Sequence, residues 1–274
     1  MSLTKGVIAP DTGKPEKNDE MFIGWASAPK IDRRFLLGAL PVGLLSTAGV
    51  SLLNAKTLTN PGAGAWLTNA SHEVTGVLTN DPYPMIRIAD PKAPNGMRTV
   101  LVVAEGKCTS SLEFETAKHK NVQAIGNLIQ RKDRQMLEVP PFIGKWLTVT
   151  DQEGTESGPL SAPPVESLGQ ATLAGTIMDS KCFFGVMRPG RGKTHKACAS
   201  LCIRGGIPPS FWVRDARGRE AVMLMTTANG GAIPMDILPL VADPVKATGE
   251  IVRVGDLLQF RADSSAYKRL QKVS

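Results

Sequence analysis

The chain has 274 residues, of which 42% are hydrophobic, 21% charged and 5% aromatic, and 32 Lys and Arg against 25 Asp and Glu give it a net charge of +7. This composition excludes a polytopic membrane protein, a collagen-like fibre and a wholly disordered chain. Its 27 glycines and 20 prolines favour turn-rich β architecture over a helical bundle. The basic residues form no stripe interleaved with aromatics, so nucleic acid is not an expected partner.

The amino-terminal part of the chain divides into a polar segment and an apolar one. Residues 1–34 show no sustained apolar period and are predicted to be a disordered, cytoplasmic segment. The next 19 residues, 35–53, carry no charge, and three hydroxyl residues are their only polar side chains. At 1.5 Å per residue a helix of this length covers about 28 Å, enough to cross the apolar core of a bilayer. We therefore predict a transmembrane anchor over residues 35–55.

Basic residues are unequally distributed around this apolar stretch. Lys30, Arg33 and Arg34 precede it, whereas Lys56 alone follows closely. By the positive-inside bias we expect the amino terminus in the cytoplasm and the bulk of the chain in the bacterial periplasm, on a single pass of the inner membrane. The letters DRRFLL at residues 32–37 also resemble a twin-arginine export signal. We favour an uncleaved anchor, because a 34-residue leader is long for a signal peptide and the cleavage sequences are weak.

An internal repeat organises the exported part of the chain, which consists of short β-rich runs broken by proline, glycine, aspartate and asparagine. Residues 122–129, VQAIGNLI, match residues 245–252, VKATGEIV, position by position. Asp133 and Asp256 follow the two segments at the same offset. We infer two tandem copies of one small β unit. Three further strands are predicted in the first copy, at residues 73–78, 85–88 and 99–103.

The order of these strands, with a glycine in the first strand and a closing Val-x-Ala-x-Gly hairpin, indicates a five-stranded barrel of the OB type. We therefore predict a mainly β protein, with two tandem OB-like small barrels after a single amino-terminal transmembrane helix. The first domain is assigned to residues 68–150 and the second to 171–264, joined by a linker at 151–170 that contains a cluster of Gly, Ser and Pro. The alternative is a β-sandwich in which the repeat is accidental.

A cluster of cysteine and histidine distinguishes the second copy from the first. It lies within an insertion that follows the first strand of the second copy and spans 21 positions from its first to its last cysteine. The first copy lacks the insertion and has Cys108 alone, so any site is expected to be confined to the second copy. The residues of the cluster are Cys182, His195, Cys198 and Cys202.

A short helix is predicted over residues 194–203, with Thr194 as its N-cap and two glycines at 205 and 206 to end it. On such a helix His195, Cys198 and Cys202 occupy positions i, i+3 and i+7 and point from one face. Cys182, arriving from the end of a strand, would be the fourth member of that group. The spacing therefore predicts that the four side chains converge.

Different chemistries compete for this cluster. Cysteine and histidine together are ligands for Zn²⁺, Cu⁺ or iron, so the four residues form a candidate metal site, for which zinc or copper is the expected ion. Alternatively, in an oxidising periplasm, Cys182 forms a disulfide with Cys198 or Cys202 and fastens the insertion to the barrel. Cys198 and Cys202 are not expected to pair with one another, since side chains at i and i+4 on a helix lie too far apart. A redox or copper-delivery role for the two helix thiols, Cys198 and Cys202, is a third alternative.

The insertion also carries a family resemblance. DSKC at residues 179–182 and HKACASLCIRGG at residues 195–206 resemble a group of exported bacterial domains of unknown function. Their pattern is Asp-x-x-Cys, a spacer, then His-x-x-Cys-Ala-x-x-Cys and a glycine. The resemblance implies an OB-type barrel in the second domain, with Asp179, His195 and the three cysteines as the matching positions, and it implies no activity.

We expect a non-catalytic accessory or binding subunit that is anchored in the membrane and joined to a protein partner in a membrane complex, for which a respiratory complex is one candidate. The alternative is an envelope protein that binds a metal, copper or zinc, or uses its thiols in redox chemistry. An enzyme with an open metal coordination position is the third hypothesis. No nucleophile elbow and no complete phosphate-binding loop is present in the sequence, so no catalytic residue is assigned.

Overall fold

The computed structural model describes residues 30–57, 64–109, 117–140, 146–150 and 158–270, and it separates into two units, residues 1–60 and 61–274. The first unit contains helix α1, Lys30–Thr57. Residues 33–53 of α1 have a mean hydropathy of 1.9 and exposed side chains, and they are long and apolar enough to cross a membrane. The predicted apolar helix is therefore confirmed, while its orientation and retention remain predictions. Residues 1–29 of the segment predicted to be disordered lie outside the described residues. Its last five residues, 30–34, form the start of α1.

The second unit begins with a sheet whose strands pair in the order β1-β2-β3-β5-β4 and back to β1, so that five strands form a closed circuit. All of these pairs are antiparallel except β3 with β5, which is parallel. The short strand β6 pairs with β4. The three strands predicted in the first copy are confirmed as parts of β1, β2 and β3. The strands are β1 Gly64–Thr79, β2 Met85–Ala89, β3 Met97–Ala104, β4 Asn121–Arg131, β5 Arg134–Val139 and β6 Leu147–Val149.

A second sheet repeats this arrangement. Its strands pair in the order β7-β8-β9-β11-β10 and back to β7, with β9 parallel to β11 and the short β12 beside β10. Helix α2, Gly158–Ser161, precedes it, and β7 begins at Val165, inside the span predicted as a linker. Helix α3, Lys196–Arg204, lies between β7 and β8. The strands are β7 Val165–Asp179, β8 Pro209–Arg214, β9 Glu220–Thr226, β10 Pro244–Val254, β11 Leu257–Arg261 and β12 Tyr267–Arg269.

The repeat in the sequence corresponds to a repeat in strand register. Gly76 of β1 is paired with Val122 of β4, and Gly175 of β7 is paired with Val245 of β10, which is the matching position of the second copy. The hairpins that follow also have matching registers. Leu128 of β4 is paired with Leu137 of β5, and Ile251 of β10 is paired with Phe260 of β11, at the equivalent positions of the second copy. The interpretation as two copies of one β unit is thus confirmed at the level of individual pairs.

The matched glycines at 126 and 249 lie where a neighbouring strand comes very close. A Cβ atom on Gly126 would lie 2.3 Å from the carbonyl oxygen of Glu138. A Cβ atom on Gly249 would lie 2.6 Å from the carbonyl oxygen of Arg261. Any side chain at these positions would push the strands apart, so glycine is required for closure of each circuit.

An apolar cluster shared by both sheets joins the two barrels into one packed unit. The first barrel contributes side chains such as Leu101 and Met136, and the second contributes Phe183, Phe184 and Leu224. Each barrel also has its own apolar cluster. The two barrels therefore bury a common apolar face.

Hydrogen bonds reinforce this junction between the barrels. The hydroxyl of Tyr83, in the first barrel, donates to the carbonyl of Met225 and accepts from the backbone N–H of Ile233, both at 3.0 Å. At another point of the junction the hydroxyl of Thr99 donates to the carboxylate of Asp256 at 2.6 Å. These bonds tie loops and strands of the two copies together in a fixed register.

Candidate functional site

The insertion after β7 begins with a turn that is organised by Asp179, the last residue of that strand. One oxygen of its carboxylate, Oδ1, accepts a 2.7 Å hydrogen bond from the backbone N–H of Cys182. The chain then continues as a short helical turn over Cys182–Val186. This bond fixes Cys182 beside the end of the strand, where its buried side chain faces the insertion.

Helix α3 confirms the predicted helix but not its predicted N-cap. A 3₁₀ turn, Lys193–His195, precedes α3, so Thr194 lies within that turn, and His195 occupies the N-cap position without a side-chain capping bond. The carboxyl end agrees with the prediction, because Gly205 ends the helix and its N–H donates to the carbonyl of Leu201. The helix thus presents His195 from its first turn and the cysteines from its body.

The four predicted side chains meet in two overlapping groups. Atoms of Cys182, His195 and Cys198 that could bind a metal lie within 4.8 Å of one another, and so do those of Asp179, Cys182 and Cys202. The sulfur atoms of Cys182 and Cys198 are 3.9 Å apart. Cys182 is common to both groups, so the insertion does bring all four residues to one place.

All four cysteines of the chain are among the described residues, and all four are free thiols. The distance between the sulfurs of Cys182 and Cys198 exceeds the roughly 2.05 Å of a disulfide bond. A bridge from Cys182 to Cys198 or Cys202 is therefore not formed in this structure and stays a prediction from the sequence. Cys108 lies outside the cluster, and its thiol donates to the carbonyl of Glu105.

A buried carboxylate orients the histidine. The Nε2 atom of His195 lies 3.0 Å from Oδ2 of Asp179, and the side chains are 3% and 0% exposed. This contact fixes the orientation of the imidazole ring beside Cys182 and Cys198. Histidines that bind metals commonly hold a carboxylate with their second nitrogen in this manner.

A lysine of the first barrel completes the cluster. Lys107 lies in the loop after β3, and its Nζ atom is 2.7 Å from the sulfur of Cys198 and 3.7 Å from that of Cys202. The hydrogen bond with Cys198 raises the pKa of the Lys107 ammonium. The candidate ligands all lie in the second copy, and the first copy contributes this neighbouring lysine. The packing of the barrels, which no local sequence pattern encodes, brings this lysine to the thiols.

The hydrogen-bonded thiols of Cys182 and Cys202 differ in acidity. A hydrogen bond with Cys182 lowers the pKa of Cys202 to about 7, and the positive charge of Lys107 adds to this effect against the opposing effect of burial. The same hydrogen bond, together with burial, raises the pKa of Cys182. Near neutral pH the Cys202 thiol is therefore partly ionised to the thiolate, which is the form that reacts and that binds metals.

A cavity of about 200 Å³ lies at this junction, lined by residues of both barrels. Two of the residues that line it, Lys181 and Glu138, form a buried ion pair, with 2.6 Å between Nζ and Oε1. Lys181 also donates to the carbonyls of Ala104 and Gly106, each at 2.9 Å, so all three of its protons have acceptors. The residues that line the cavity include Trp66, Lys107, Glu138, Lys181, Cys182, Met187, Cys198 and Cys202.

A scan of the chain against protein-family models and a search of curated proteins found no match. The site must therefore be interpreted from its own geometry and chemistry.

Proposed function

We propose that this is a membrane-anchored protein of the cell envelope that binds a thiophilic metal ion, Zn²⁺ or Cu⁺, through Cys182, His195 and Cys198. The observation that carries the proposal is the 3.9 Å separation of the two sulfur atoms. Two thiolates bound to a tetrahedral zinc ion at about 2.3 Å would lie about 3.8 Å from each other. One nitrogen of His195 is within 4.8 Å of both sulfurs, so three ligands are already gathered.

The surroundings of these three residues suit a metal as well as their spacing does. The carboxylate of Asp179 contacts the imidazole of His195 and fixes its orientation, as carboxylates commonly do for histidines that bind metals. The Nζ atom of Lys107 lies 2.7 Å from the sulfur of Cys198, so a cation stands beside a side chain that must lose its proton to bind a metal. Cys202, which lies in the overlapping group with Cys182, is the candidate for a fourth ligand.

We infer that both barrels are of the OB type. The closed order 1-2-3-5-4-1, with the third strand parallel to the fifth, supports this assignment in each copy. The resemblance of the insertion to exported OB-like domains agrees with it. On this assignment, the proposed metal site lies in an insertion of the second barrel, where that barrel meets the first.

The apolar helix α1 supports a proposal for the location of the protein and for the kind of partner it has. We propose that α1 is retained as a single pass of the bacterial inner membrane, with the amino terminus in the cytoplasm and both barrels in the periplasm. The second candidate function, an accessory subunit of a membrane complex, rests on the same anchor. One protein can both bind a metal and serve as a subunit of a complex. Of these two functions, metal binding is the one that a direct chemical experiment can test.

That test is a zinc and copper(I) titration of the full chain in detergent, with thiols reduced, followed by native mass spectrometry and by competition with a chromophoric chelator. We expect one ion per chain, loss of high-affinity binding in Cys198→Ser, and a loss of about 10- to 100-fold in affinity in Asp179→Asn. Cys108→Ser is the matched control, since this half-buried thiol lies on a neighbouring loop outside the cluster. Equal affinity in Cys198→Ser and Cys108→Ser would exclude the proposal.

A further inference from the structure

The contact between Lys107 and Cys198 is unusually short for a nitrogen and a sulfur atom. Their separation of 2.7 Å is below the roughly 2.9 Å that is typical of an N–H···O hydrogen bond, although sulfur is the larger acceptor. It is also much longer than a direct nitrogen–sulfur bond. A distance between these limits leaves room for one small atom, such as oxygen, to bond to both the nitrogen and the sulfur without moving either side chain far.

The backbone holds both partners in this position. A Cβ atom on Gly205, at the end of α3, would lie 1.7 Å from the carbonyl oxygen of Lys107, so loop and helix end are in direct contact. The N–H of Thr109 also donates to the carbonyl of Gly205 at 3.0 Å. The side chain of Lys107 is exposed, whereas that of Cys198 is half-buried, so small oxidants reach the pair from solvent.

We propose that Lys107 and Cys198 are a redox-sensitive pair that closes to a covalent N–O–S bridge between the two barrels when the protein is exposed to hydrogen peroxide. The proposal goes beyond metal binding, and the bridge requires no metal. The modification site consists of one nucleophilic side chain from each copy of the repeat, Lys107 from the first and Cys198 from the second.

The chemistry balances with two equivalents of hydrogen peroxide. The first oxidises the Cys198 thiolate by two electrons to a sulfenic acid and leaves hydroxide, which takes one proton from the Lys107 ammonium to give water. The second accepts the hydrogens of one N–H and of the S–O–H group and becomes two waters, while the N–O bond forms. Overall, ammonium, thiolate and two peroxides give the bridge and three waters.

The bridge has two consequences for the molecule. It ties the loop of the first barrel to α3 of the second, and it occupies the sulfur of Cys198. Where the proposed function holds, the oxidised protein loses one of its three metal ligands, and a reductant restores it. Oxidation would then release the metal.

The experiment is peroxide treatment of the full chain in detergent with a chelator present, followed by thiol alkylation, proteolysis and mass spectrometry. We expect a peptide pair joined at Lys107 and Cys198 that is heavier by one oxygen and lighter by two hydrogens than the sum of its parts. It should separate on reduction. Recovery of Cys198 as sulfinic acid or as a disulfide, with Lys107 unmodified, would overturn the proposal.

Matched variants exclude a nonspecific cross-link. Lys107→Arg keeps the positive charge at an exposed position and should abolish the linked peptide. Lys193→Arg changes an exposed lysine elsewhere on the insertion and should leave the yield unchanged. Because the linked peptide is measured without metal, whereas the proposed function is tested by titration of the reduced protein, failure of one result does not imply failure of the other.

Discussion

Lys181 of the second barrel and Glu138 of the first form an ion pair in the interior of the protein, with 2.6 Å between Nζ and Oε1 and both side chains 3% exposed. The other oxygen of Glu138 accepts hydrogen bonds from Trp66 at 2.9 Å and Asn127 at 3.1 Å. Every polar group of the pair therefore has a partner, which is the condition under which a buried ion pair is tolerated.

Removing one member of this pair should be costly. We expect Lys181→Met to lower the free energy of unfolding by about 3–5 kcal/mol, because it leaves the carboxylate of Glu138 buried without its cation. Replacing both residues by apolar ones should recover most of this loss. The matched control is Arg253→Met, whose partner Glu166 is largely exposed and whose ion pair should contribute less than about 1 kcal/mol. Urea unfolding followed by tryptophan fluorescence measures all three, and equal losses for the two single variants would contradict the expectation.

The contact at Gly205 should also be sensitive to a single methyl group. Its φ of −78° suits any residue, so Gly205→Ala acts through the collision of its Cβ with the carbonyl of Lys107 and not through backbone strain. We expect a loss of about 1–3 kcal/mol in unfolding free energy, together with weaker metal binding, since the loop that carries Lys107 must move. Gly231→Ala is the control, because its Cβ would meet the Thr227 hydroxyl at 3.2 Å and no backbone atom. If both variants behave alike, the contact does not hold the loop.

Ionisation of the Cys202 thiol should occur at a lower pH than that of an ordinary cysteine. Because the pKa of Cys202 is lowered to about 7, its thiolate should be present above that pH and should be protonated as the pH falls below it. Ultraviolet absorbance of the reduced, metal-free protein should therefore show one thiolate with a midpoint near 7, against about 8.5 for an ordinary cysteine. Cys182→Ala and Lys107→Met should both move the midpoint upward, whereas Cys108→Ser should leave it unchanged. A midpoint near 8.5 in the unaltered protein would refute the assigned hydrogen bond.

The apolar helix leads to a prediction about processing. If α1 is an uncleaved anchor, the chain should remain with membranes after an alkaline wash, and its intact mass should include the residues before α1. Leu44→Arg, in the middle of the apolar stretch, should reduce insertion, since an arginine at the centre of a transmembrane helix costs about 2.5–3.5 kcal/mol. A shortened chain in the soluble periplasmic fraction would show instead that the segment is a cleaved export signal.

Much of the fold could be predicted because its signals are local. Alternating apolar residues marked the strands, and the match of residues 122–129 with 245–252 placed equivalent strands in equivalent registers. The helix that carries Cys198 followed from its spacing and its terminal glycines. Its N-cap was misplaced at Thr194, since a preceding 3₁₀ turn is not distinguished by sequence from the first turn of the helix.

The rest of the site could not be predicted because it depends on how the barrels pack. Lys107 and Cys198 are 91 positions apart, and no pattern around Lys107 distinguishes it from other surface lysines. Glu138 and Lys181 belong to different copies as well, and a charged residue in a strand is ordinarily expected to face solvent. The signal that was available is indirect: Lys181 directly precedes a buried cysteine in the insertion that carries the resemblance.

The common apolar face of the two barrels bears on how the duplicated unit can be used. A sequence repeat suggests modules that could be expressed, exchanged or lost separately. In this protein each copy, if produced alone, would expose to water the side chains that pack against the other copy. These include Met136 of the first copy and Phe184 of the second. The two copies are therefore interdependent, and cutting the chain between them should yield two insoluble halves that recover solubility when they are produced together.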